Sequence, residues 1–121
     1  MKPRESTIQA KEFQADALRR QLMQFERMIA DLETIRTELG KQIEMEERRS
    51  GVSDTSHYAY STVARAARER RANLTHTIDD LAGRRETAHE ALAEIDGFFE
   101  ALENAGDTLD VPASRKSRVA A

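Results

Sequence analysis

One pattern constrains this chain more than any other: a seven-residue repeat of apolar side chains running through both halves. In the first half it reads Leu18, Leu22, Phe25, Ile29, Leu32, Leu39 and Ile43. Spacings of 4, 3, 4, 3, 7 and 4 define a heptad with Leu22, Ile29 and Ile43 at position a and Leu18, Phe25, Leu32 and Leu39 at position d. Extended backward, the register puts Ala15 and Ile8 at a. Extended forward, it meets Arg36 at a, with Ile35 beside it as the expected apolar substitute. The second half repeats the pattern with Ala64, Ile78, Leu92 and Phe99 at a, and Ala67, Leu74, Leu81, Ala88, Ile95 and Leu102 at d. Arg71 and Arg85 are its polar exceptions. A period of 3.5 residues makes a narrow seam between two helices, not the broad apolar face of a globular core. No stretch has the two-residue period of a strand.

Between the halves, residues 49–56 carry turn chemistry. Gly51 suits the left-handed end of a helix, and Asp54, Ser56 and Ser61 are each candidate caps for the next one. A connection this short turns the second helix back along the first. The expected fold is all-α: an antiparallel two-helix coiled-coil hairpin over residues 1–106, with helices near 5–48 and 57–105. Each would be roughly 60–70 Å long. Gly106 is expected to close the second helix, and residues 107–121 read as a frayed tail.

Charge favours the hairpin over a parallel pairing. Residues 1–20 hold five Lys/Arg and three Asp/Glu, whereas residues 91–110 hold six Asp/Glu and no Lys/Arg. A hairpin sets these segments of opposite sign side by side. The same pairing puts Ile29 near Ile78, Phe25 near Leu81 and Leu32 near Leu74. It also puts Arg36 near Arg71 and Leu22 near Arg85, so the seam arginines are expected to repel and to snorkel outward. Gly40, Gly83 and Gly97 lie inside helices, at a cost of about 1 kcal/mol each relative to Ala. Each seam Leu or Ile returns about 1.5–3 kcal/mol when fully buried. Low stability in isolation, with the ends ordering on a partner, is the expectation.

The sequence argues against several kinds of chemistry. There is no Cys, hence no disulfide, thiolate metal site or Cys nucleophile, and the composition suits a reducing compartment. No apolar run exceeds three residues, so no bilayer span is expected, and the first 13 residues lack the apolar stretch of a secretory signal. A net charge of −3 gives no general attraction to nucleic acid. The five Gly are isolated and form no phosphate loop. His57, His76 and His89 have no metal-ligand spacing. Glu46-Glu47 and Asp79-Asp80 are expected to point into water. A two-helix hairpin has no dry pocket in which to tune a general acid or base. A non-catalytic protein without cofactor or metal is therefore expected.

Two surfaces could carry a partner. The first is the segment after the turn, with Tyr58, Tyr60, Arg65, Arg68, Arg70 and Arg71 close together. Tyr and Arg offer large contact area with a polar tip and are enriched at binding hot spots. Ala64 and Ala67 let the helices approach there. The alternative is that Tyr60 plugs the d position beside the turn and the arginines are a solvated face. The second is Phe98, at position g on the seam's edge, either exposed as an anchor or packed across on Ile8.

Parts of the chain resemble a known family. The opening Met1-Lys2-Pro3-Arg4-Glu5-Ser6-Thr7-Ile8 with Phe13-Gln14 is similar to FliJ-type flagellar export proteins of alphaproteobacteria. So is Met28-Ile29-Ala30-Asp31 with Leu39 and Gln42-Ile43. The most distinctive part is Gly51-Val52-Ser53-Asp54 through His57-Tyr58-Ala59-Tyr60, Ala66-Ala67-Arg68 and Arg70-Arg71-Ala72-Asn73-Leu74. The resemblance covers about residues 1–82. It implies a cytoplasmic, non-catalytic component of the flagellar type III export apparatus, peripheral at the flagellar base. Members of that family are antiparallel coiled coils resembling the stalk of rotary ATPases. The implied partners are the hexameric export ATPase, the export gate membrane protein and substrate chaperones, with no nucleic acid and no membrane insertion. By stalk analogy, the termini-proximal end enters the ring and the turn end faces the gate. A generic coiled-coil scaffold or tether with an unrelated partner is the competing reading. The open edges of the seam are also compatible with homodimers that form four-helix bundles.

Overall fold

The heptads form two long helices packed against each other. The computed structural model describes residues 3–106, with α1 at Pro3–Ser50 and α2 at Thr62–Asn104, and no strand among the described residues. The expected tail at 107–121 lies outside them. Pro3 opens α1, where a missing N–H costs nothing, and Glu5 places a negative charge in its first turn. Arg48 and Arg49 lie in its last turn, matching the negative end of the helix dipole. Gly51 adopts φ 74° and its N–H donates to the Glu47 carbonyl at 2.9 Å, which stops the helix. Gly106, also at φ 74°, closes the C-terminal end of α2, its N–H donating to the Glu103 carbonyl at 3.1 Å.

α2 starts at residue 62 rather than near 57, because the connection uses its own hydrogen bonds. Asp54 Oδ1 accepts from the Ser56 N–H (3.0 Å) and the Ser56 hydroxyl (2.7 Å). The His57 N–H donates to the Asp54 carbonyl, and the Ala59 N–H donates to His57 Nδ1. Of the three candidate caps, Ser61 is the one used: its Oγ accepts from the Ala64 N–H at 3.1 Å. Asp54 and Ser56 build the loop instead.

The described chain divides into two packed units. The first joins residues up to Leu22 with those from Glu86 onward, and the second is Met23–Arg85. In the first unit Ile8, Ala15, Ile95 and Phe99 form the core, with Leu18, Leu92, Phe98 and Leu102 against it. Ala15 and Phe99 are both fully enclosed, a small side chain accommodating a large one. The expected meeting of opposite charges occurs where Arg19 lies 3.7 Å from Asp96.

In the second unit, Ile29, Ile78 and Leu81 are buried with Phe25, Leu32 and Ala82 around them. A separate cluster holds Leu39, Ile43 and Ala67, with Leu74 against it. Leu32 and Leu74, expected opposite each other, thus belong to different clusters. Polar seam residues intervene. Arg36 is half-buried and donates to Thr75 Oγ1 at 3.4 Å, and Thr75 donates to the Arg71 carbonyl. Arg71 lies over Gly40, where an added Cβ would sit 3.8 Å from its Nη1. The two guanidinium groups have different neighbours, Thr75 for Arg36 and Gly40 for Arg71. Ile35 does not substitute for Arg36: it is 49% exposed. Arg85 reaches across to Glu26 at 3.4 Å.

Position in the backbone, not residue type, sets what each glycine contributes. Gly51→Ala should lower stability by about 1–2 kcal/mol, the cost of a left-handed Cβ. Gly83→Ala should raise it by about 0.5–1 kcal/mol, since nothing lies within 4 Å of the added methyl. Urea denaturation of the full chain measures both, and a Gly51→Ala protein as stable as the parent would contradict the φ-based account.

Candidate functional site

The turn unit gathers the aromatic and basic residues singled out in the sequence, and it separates them into two roles. Tyr60 is at a d position and is buried, 4% exposed. Its hydroxyl donates to Glu47 Oε2 at 2.7 Å and accepts from Arg68 Nε at 2.7 Å. Arg68 Nη2 closes the triangle on the same Glu47 oxygen at 2.7 Å. Three mutually bonded groups with one ionised donor and one ionised acceptor make short, charge-assisted contacts. The guanidinium groups of Arg65 and Arg68 lie 5.3 and 5.9 Å from the Tyr60 ring centre. Arg65 also donates to the Thr55 carbonyl at 3.0 Å, tying the loop down. Ser61 Oγ lies 3.4 Å from Glu46 Oε2, and Arg49 is 3.7 Å from Glu46.

Glu46 and Glu47 therefore do not point into water as expected. Their side chains are 23% and 17% exposed and hold the turn together. The hydrogen bonds from Arg68 and then Tyr60 hold the Glu47 carboxyl below the usual glutamate range, and Glu47 in turn raises the Arg68 pKa. Asp54 is also held low, by the Ser56 hydroxyl and backbone N–H.

The second role is presentation. Tyr58 is 96% exposed and stacks on His57 with ring centres 4.6 Å apart. Arg70 is exposed on the rim of a groove of about 300 Å³ lined by Gln42, Thr62, Val63, Ala66 and Ala67. Arg71 belongs to the seam beside Gly40. Phe98 lies in the other unit and is not an exposed anchor: it is half-buried against the Ile8–Phe99 core, with Lys11 Nζ 5.5 Å from its ring centre. Sequence reasoning missed Glu47 and Ser61 as parts of this site. Glu47 and Arg68 both occupy position e of their heptads, and e-to-e pairing across an antiparallel coil was the available signal.

Among the described residues there is no group of three His, Asp or Glu side chains placed to hold a metal ion, and no helix is long and apolar enough to cross a membrane. Comparisons with protein-family models, curated proteins and solved structures gave no match to this chain.

Tyr60→Phe removes the shared hydroxyl and should cost about 1–2 kcal/mol, with helicity retained. The acid dependence follows from Glu47. Its folded pKa lies below its unfolded value, so its stabilisation is complete above the ordinary value of 4.5 and is lost as pH falls through the folded value. The stability difference between the parent and Glu47→Gln should therefore be largest near neutrality and shrink in acid. Thermal melts at a series of pH values measure it, and a difference independent of pH would refute the assignment.

Proposed function

We propose that this chain is a non-catalytic component of the flagellar type III protein export apparatus, a coiled-coil stalk that couples the export ATPase ring to the export gate and substrate chaperones. It would act in the cytoplasm, peripheral at the flagellar base. The observation that carries the reading is the turn segment. The residues most distinctive of the family resemblance, Gly51 through Leu74, supply Tyr60 and Arg68 to a part-buried clamp on Glu47 of α1, and they include an exposed Tyr58 and Arg70. A clamp that holds the loop lowers the entropy lost when a partner docks on it. An exposed Tyr stacked on His57, in a unit that also exposes Arg70, has the composition of a binding hot spot.

The mechanism on this reading is mechanical. An asymmetric helix pair inside a six-fold ring meets the six subunits unequally, and that inequality biases nucleotide turnover around the ring. The stalk needs no nucleotide site of its own. In this orientation the terminal unit enters the ring and the turn faces the gate, a placement that rests on stalk analogy.

Pull-down of the export ATPase by the purified full chain tests the reading directly, and failure to bind ATPase, gate and chaperones alike would overturn it. Orientation is tested separately with Tyr58→Ala and Arg70→Ala, two exposed positions outside the clamp. Gate binding should weaken by at least about tenfold, with ATPase stimulation unchanged. Lost stimulation with intact gate binding would reverse the orientation.

A further inference from the structure

Five arginines are half-buried among the described residues: Arg19, Arg36, Arg68, Arg71 and Arg85. Three of them meet a carboxylate from the opposite helix, Arg19 with Asp96, Arg68 with Glu47 and Arg85 with Glu26. Arg36 and Arg71, both in the turn unit, do not. Arg36 has a neutral hydroxyl instead, Thr75 Oγ1 at 3.4 Å. Arg71 lies over Gly40, which has no side chain to offer. Among the described residues neither arginine is in an ion pair. The acids around them are engaged or turned away. Glu38 is paired with Lys41, and Glu33 and Glu44 are exposed. Glu47 does feel the charge of Arg71, but Arg68 and Tyr60 already hold its carboxylate.

A guanidinium withdrawn from water without an anion is costly, and its planar fork is shaped to take a carboxylate by two parallel hydrogen bonds. Access is open. Thr75 and Gly40 both occupy position e, on the same seam edge as the Glu47–Arg68 pair. The adjoining b positions hold Thr37 and Ala72, both exposed, so the residues flanking the two arginines on this edge are small. We infer that Arg36 and Arg71 form a receptor for an acidic segment of a partner protein, whose carboxylates supply the two missing ion pairs. Carboxylate is the chemistry that completes each of the other half-buried arginines in this molecule. The inference is independent of the export reading, since it uses neither the family resemblance nor the exposed turn.

The test follows the arginine Nε–H signals of the full chain by NMR, with a hexaglutamate peptide as the probe. Saturable shifts are expected at Arg36 and Arg71 and not at Arg19 or Arg85. Arg36→Leu with Arg71→Leu should weaken peptide binding by at least about tenfold while raising the urea midpoint, because two apolar residues complete the seam. A more stable variant that has lost binding has not lost it by unfolding. Absence of saturable shifts at Arg36 and Arg71 overturns the proposal. So does peptide that shifts the exposed Arg70 equally, or that binds the double Leu variant undiminished. A lower urea midpoint in that variant overturns the premise that the two arginines are unmatched in the free chain. Inorganic phosphate is the second probe, and saturation of both arginines by phosphate but not by hexaglutamate overturns the carboxylate assignment.

Discussion

Everything in this protein depends on two helices burying one narrow apolar line against each other. A heptad seam offers each helix little more than its a and d positions for burial, so a single polar side chain in the line interrupts the core. Arg36 and Arg71 do this in the turn unit. The apolar residues on either side of them form separate clusters, one around Ile29 and Ile78 and one around Ile43 and Ala67. The arginines are tolerated because Thr75 offers Arg36 an acceptor and Gly40 leaves Arg71 space.

Around the turn, side-chain hydrogen bonds supplement what the seam provides. Backbone donors in the connection are taken up by Asp54, His57 and Ser61. Glu47, Tyr60 and Arg68 lock α1 to the start of α2 through one carboxylate oxygen and one hydroxyl. Tyr60 combines both roles, since its ring fills a seam position and its hydroxyl bridges two charges. The neighbouring Tyr58 has neither role and is available to something outside the chain.

Most of the fold was legible in the sequence, because the heptad period states which residues face inward whatever the details of packing. Ile29, Ile43, Ile78 and Phe99 are buried as their register requires. Gly51 and Gly106 end their helices as their backbone freedom suggests. The misreadings share a cause. Placing Ile35 inward, and Glu46 and Glu47 outward, followed residue type over register. In a narrow seam the register wins: Arg36 keeps position a, and Glu47 at e finds Arg68 at e. The start of α2 was less legible still, because Asp54, Ser56 and Ser61 all have the chemistry of a cap.

The sequence alone determined the two helices, their reversal at the turn and the composition of the inward line, since periodicity and turn chemistry are local properties. Tertiary structure decided which tyrosine is structural and which is displayed, and where Arg36, Arg68 and Arg85 find their partners. Those outcomes depend on the axial stagger between residues far apart in the chain, and a shift of one heptad position would reassign every partner without changing the pattern from which the helices were read.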